Sequence, residues 1–111
     1  MAYDEDMAHR VRELVALEDG IDERRMFGGL AFMAAGNLAL AVSSRDALLV
    51  RLGPEGAAAA AGRPHVRPAV MRGREMRGWV YVDFAGVRTK RQLQRWVDRA
   101  VAFARSLPAK G

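Results

Sequence analysis

The sequence predicts an α+β fold, one antiparallel sheet backed by helices in the order α-β-β-β-α-β-β-α. Three observations carry that prediction. Apolar residues recur at helical spacing near both ends of the chain, over EDMAHRVRELVALE and over LQRWVDRAVAFARSLP. Between them lie short apolar runs of strand length, joined by glycine, asparagine and serine turn signals. A run of alanines after Gly53-Pro54 supplies one more helix. With 111 residues, half of them apolar, the chain suits one domain over residues 1–111, with a core that needs no disulfide.

Taken in order, the first element is an amphipathic helix over residues 5–18. Met7, Val11, Leu14 and Val15 share one side, with charges opposite. Asp4 is placed to cap it and Gly20 to stop it. The period then changes. In RRMFGGLAFM, Leu30 and Phe32 take one side of a strand, Ala31 and Met33 the other. A phosphate loop sets its glycines between a strand and a helix, so that helix-terminal N–H groups meet the anion. Gly28 and Gly29 instead precede a strand and a turn, which reads as a kink in that strand. Gly36-Asn37 offers left-handed conformations for a hairpin into LALAVS. Ser44-Arg45-Asp46 turns the chain into ALLVRL, completing a three-stranded meander.

Pro54 suits the first turn of a helix, where its missing N–H removes no bond. Ala57 to Ala61 carry that helix and Gly62 closes it. Arg63-Pro64 and Arg67-Pro68 enforce an extended path. VRPAVM and MRGWVYVDF are two further strands joined through Arg72-Gly73-Arg74. Thr89 with Gln92 forms a capping box for the last helix. Leu93, Trp96, Val97, Ala100, Val101, Ala104 and Leu107 make its apolar stripe, and Pro108 ends it.

Composition narrows the chemistry. There is no cysteine, so thiol nucleophiles, thiolate metal sites and redox switches are out. No apolar run approaches the roughly 20 residues that cross a bilayer. MAYDEDMAHR is acidic where a signal peptide is basic and then apolar, and a cytoplasmic protein without membrane contact is expected. His9 and Glu13 are one helical turn apart, but two such ligands are too few for a structural zinc site, so no metal is expected. His65 has no sequence-local carboxylate, and Ser43, Ser44 and Ser106 lack a G-x-S-x-G context. The expectation is a non-enzymatic protein without a cofactor.

The better handle is a surface. Alternation in MRGWVYVD sets Met76, Gly78, Val80 and Val82 on one face and Arg77, Trp79, Tyr81 and Asp83 on the other. Both faces carry large apolar groups, and the C-terminal helix covers only one. The other is covered by a second helix, in which case Trp79 and Tyr81 are plain core, or by a partner or ligand. Trp and Tyr beside Arg is a composition of interface anchors. If the first and last strands meet, Arg24, Arg25, Phe27, Gly28 and Gly29 join Arg77, Gly78, Trp79 and Tyr81 in one surface for a protein partner or a second copy in a homodimer. The alternative partner is nucleic acid. The net charge is +5 and uneven: residues 1–25 hold eight acidic and four basic side chains, residues 63–99 ten basic ones against Glu75, Asp83 and Asp98. On that reading Arg72, Arg74, Arg88, Lys90, Arg91 and Arg95 meet phosphates. It is not favoured, because no helix-turn-helix or RNA-binding aromatic motif accompanies the charge.

RRMFGGLAFM with Gly36-Asn37, LLVRLGPE, MRGWVYVD and LQRWVDRAVAFARSLP together resemble the N-terminal domain of the TfoX/Sxy family, from residue 3 to residue 108. The resemblance implies the secretion-chaperone-like type of antiparallel sheet backed by helices, a bacterial source, and a role akin to that of competence regulators. Those regulators add a C-terminal domain, so the chain reads as a stand-alone N-terminal domain. The resemblance transfers no catalytic residue.

Overall fold

In the computed structural model of the chain, which describes residues 3–26 and 28–109, the element order follows the sequence expectation with one strand added. Helix α1 spans Glu5–Val15, and the Asp4 carboxylate accepts from the Met7 N–H at 2.9 Å as the expected cap. The added strand is β1, Ile21–Met26. Its sequence, IDERRM, puts four charges in six residues and hides the alternation that marks the other strands. An edge position explains the charges, which discourage pairing with stray strands.

Strand β2 (Gly29–Ala34), β3 (Asn37–Val42) and β4 (Ala47–Arg51) form the expected meander. Helix α2 (Gly53–Ala60) leads to β5 (Val66–Met71) and β6 (Arg74–Asp83); a 3-10 turn at Phe84–Gly86 leads to α3 (Lys90–Ser106). All six strands form one antiparallel sheet in the order β1-β2-β3-β4-β6-β5.

Two turn assignments are corrected by the register. Met26 opposes Gly29, so Gly28 (φ +76°) belongs to the reversal between β1 and β2 and is not a kink inside one strand. Phe27 lies outside the described residues. The next hairpin turns on Ala35 (φ +51°) and Gly36 (φ +82°), one residue earlier than Gly36-Asn37. Asn37 opens β3 instead. It is buried, and its Nδ2 donates to the Pro108 carbonyl at 2.9 Å, tying the end of α3 to the sheet.

One face of the sheet holds the main core. Phe32, Leu40, Val42, Leu48, Val50, Val80 and Val82 point toward α1, α2 and α3. The apolar stripes of α1 and α3 are buried there as the spacing predicts, through Met7, Val11 and Val15 and through Leu93, Trp96, Val97 and Val101. The capping box is complete: Thr89 Oγ1 accepts from Gln92 N at 3.1 Å, and Gln92 Oε1 accepts from Thr89 N at 3.0 Å. Arg10 donates to the Val87 carbonyl at 2.8 Å, pinning the approach to α3. On the same side Arg12 reaches Glu23 of β1 through two bonds of 2.7 and 2.8 Å. That guanidinium holds the Glu23 carboxyl below the ordinary carboxylate range, and Glu23 in turn raises Arg12.

Candidate functional site

Among the described residues, the apolar cluster on the opposite face is built from strand residues and includes none from a helix. Register places one row of residues on it across all six strands: Arg24 opposes Ala31, Ala31 opposes Ala41, Ala41 opposes Leu49, Leu49 opposes Tyr81, and Tyr81 opposes Arg67. The middle of the row is apolar and an arginine closes each end. Ala31, Met33, Ala41, Leu49 and Ala69 form a second apolar cluster here, with Met26, Leu38, Met76, Trp79 and Tyr81 packed against it.

Met76 reaches this face through a bulge. Pro68 opposes Val80, yet Val70, only two positions further along β5, opposes Glu75. The surplus residues of β6 loop out around Gly78 (φ +89°), whose lack of a side chain also lets α2 approach: a Cβ there would stand 3.1 Å from the Gly53 carbonyl carbon. Strict alternation sets Met76 with Val80 and Val82, and the bulge corrects that by turning Met76 toward Trp79 and Tyr81. Gly78 itself stays on the helical side, as alternation predicts.

The result is a groove of about 450 Å³. Met26 of β1 and Val70 with Met71 of β5 line it together, so the sheet curls until both edge strands reach the same hollow. Its floor is small (Gly29, Ala41) and its walls are large (Leu38, Met76, Trp79, Tyr81). Gly29 has to be small: a Cβ on it would lie 2.5 Å from the Val42 carbonyl oxygen. Trp79 and Tyr81 are half-buried, and each is stacked by an arginine. Arg51 lies 5.1 Å from the Trp79 ring centre and 5.6 Å from that of Phe103; Arg67 lies 5.0 Å from that of Tyr81. Arg67 also pairs with Asp83 at 2.9 Å. Val70 is half-exposed at the rim. Trp79 also borders α2, lining a smaller hollow with Pro54, Ala57, Ala58 and Ala61, yet both aromatics stay half-buried and neither is sealed as plain core.

Of the residues expected to share one surface, the structure brings some together and keeps others apart. Trp79, Tyr81 and Gly29 come together in the groove. Arg24 and Arg25 do not line the groove with Trp79; of β1 it is Met26 that reaches it, across the curl of the sheet. Arg24 shares the open face at its far edge, while Arg25 opposes Leu30 and turns to the helical side. Arg77 is exposed beside α2, along a smaller hollow with Pro54, Ala58 and Ala61. What sequence reasoning missed is the contribution of Met26, Leu38 and Leu49. Leu38 and Leu49 read as ordinary strand filling and Met26 lies outside the expected strands; only register reveals that they share a face.

The basic residues of the nucleic-acid reading divide between two places. Arg72 and Arg74 are at the turn that begins β6; Arg88, Lys90, Arg91 and Arg95 are exposed around the start of α3, beyond its other end. A strand of ten residues separates them, about 30 Å at full extension. His9 and Glu13 form an exposed pair at 3.1 Å. Among the described residues no cluster of three potential metal ligands occurs, and no helix is long and apolar enough to cross a membrane.

A model of the family described as the TfoX N-terminal domain matches residues 13–104. The chain belongs to the TfoX N-terminal domain family. The matched span contains every strand of the sheet, all of α2 and the whole groove. No curated protein and no solved structure matches the chain.

Proposed function

We propose that this TfoX N-terminal domain is a non-catalytic, cytoplasmic regulatory module of the competence-regulator kind, and that it acts by docking another polypeptide on the open face of its sheet. The observation that carries the reading is the asymmetry of the sheet. Three helices cover one face, while the other keeps a groove walled by Trp79, Tyr81 and Met76. Half-buried aromatics beside arginines are the residue types that dominate binding at interfaces. The family supports a regulatory role. A second copy of the chain is one candidate partner.

Nucleic acid is the competing partner, and one experiment separates the two. A photo-crosslinking side chain is placed at Met76 in the groove, or at Arg91 on the exposed start of α3. Irradiation in cells should yield nuclease-resistant protein adducts from position 76 and none from 91. Adducts from 91 alone, lost on nuclease treatment, would reverse the reading.

A further inference from the structure

We infer that the groove receives an acidic amphipathic α-helix from a partner protein. This rests on the open face being a docking surface and adds the chemistry of what docks. The first observation concerns methionine. The chain has six, and Met26, Met33, Met71 and Met76 lie on or line this one face. Methionine is unbranched and polarisable, so it moulds to apolar side chains of varied shape, as adaptable peptide-binding surfaces require.

The second observation is the shape. The groove is walled by side chains, and its floor residues Gly29 of β2 and Ala41 of β3 lie on strands already paired on both sides, while the edge strands reach it through Met26, Val70 and Met71. An extended peptide lying there would leave its backbone N–H and C=O groups unpaired in an apolar trough. A helix satisfies its own backbone and presents apolar residues at one side. Followed along the curled sheet, the row from Arg24 to Arg67 crosses five strand spacings, about 24 Å, and extends past the groove at both ends, so a helix of at most about 16 residues fits across the face.

The third observation is charge. Arg45 and Arg72 line the groove, Arg24 and Arg67 close the ends of the row, and Arg51 lies over Trp79. Register gives the same face three carboxylates: Asp22 opposite Met33, Glu75 opposite the rim residue Val70, and Asp83 held by Arg67. Five guanidinium groups against three carboxylates, one of each already paired with the other, still complement an acidic ligand and repel a basic one. A second copy of this chain supplies no such ligand. The apolar sides of α1 and α3 are already buried in their own core, and the outer side of α3 carries Lys90, Arg91 and Arg95.

The test uses the intact protein and three labelled peptides of about 16 residues. One is amphipathic with Leu on one side and Glu on the other, one has Lys for every Glu, and one scrambles the first. Fluorescence anisotropy should show the Glu peptide binding at least about tenfold more tightly than either control, with most of that advantage lost in about 0.5 M salt. The double variant Arg45→Glu, Arg72→Glu, altered only at exposed turns, should reverse the preference toward the Lys peptide. Equal binding of Glu and Lys peptides, or indifference to salt and to charge reversal, overturns the acidic requirement. Binding of dodecyl sulfate in place of every peptide, or self-association that shuts the peptides out, overturns the partner helix. If no peptide binds while position 76 still crosslinks to a protein in cells, the docking face stands and this account of its ligand falls.

Discussion

Leu48 and Leu49 are neighbours in β4 and take opposite sides of the sheet. Leu48 is fully buried in the core shared with α1 and α3. Leu49 is 8% exposed, yet among the described residues its cluster includes no helix residue; the curl of the sheet, Met33 and Tyr81 keep water from it. Equal residues, equally apolar and almost equally buried, are thus shielded by different means. One is enclosed by separate elements that must dock for the fold to exist. The other is sheltered by neighbours within its own layer, a cover that leaves room above it. Low exposure alone does not distinguish a finished core from a face that still has space for a partner.

The largest expected effect follows from that contrast. Leu48→Ala should lower the unfolding free energy by about 2–5 kcal/mol, since it opens a cavity among docked helices. Leu49→Ala should lower it by about 1–2 kcal/mol, because the groove wall can relax toward solvent. The tryptophans repeat the comparison: Trp96, 6% exposed under the helices, should cost about 3–5 kcal/mol as alanine, and half-buried Trp79 clearly less while leaving a folded monomer. Urea unfolding of the four variants measures both pairs. Equal losses within each pair would mean that the two faces are cored alike, and the open face would lose its claim to be a docking surface.

A middle-sized effect sharpens the contrast at the groove floor. Gly29→Ala should destabilise by about 1–3 kcal/mol, because the new Cβ meets the Val42 carbonyl, a backbone atom that cannot swing aside. Gly28→Ala should cost about 1–2 kcal/mol, from its positive φ alone, because the space beside it is bounded only by the Ser44 side chain at 3.7 Å. If Gly28 proves the more sensitive, the turn and not the floor is what those glycines serve.

How much of this was legible in the sequence depended on whether local pattern or pairing decided the outcome. The capping box at Thr89, the stripes of α1 and α3 and the Pro54 helix are local, and each forms where the spacing puts it. The same holds for the candidate site: Trp79 and Tyr81 share a face because they are two residues apart. Met26, Leu38 and Leu49 join them only through register across intervening strands, and nothing local records that. Strand β1 escaped because an edge strand needs charge where a central strand needs alternation. Met76 escaped because the bulge at Gly78 shifts the period partway along one strand, and glycine alone does not announce which way.

The smallest expected effect concerns how each face meets the edge strand β1. On the helical side Glu23 is held by Arg12 of α1; on the open side Arg24, the next residue, forms no ion pair among the described residues. The bond to Arg12, partly opposed by desolvation, lowers the folded-state pKa of Glu23. A depressed carboxyl contributes stability above its unfolded-state pKa of about 4.3, and that contribution disappears as pH falls through the lower folded value. Thermal unfolding followed from pH 6 downward should therefore show a slightly steeper acid loss in the parent than in Glu23→Gln, a small difference because both partners are largely solvated and screened. Arg24→Gln should leave the acid limb unchanged. An altered acid limb in Arg24→Gln would mean that this arginine already has a carboxylate on the open side, and one of the charges assigned to a partner helix would be satisfied within the chain.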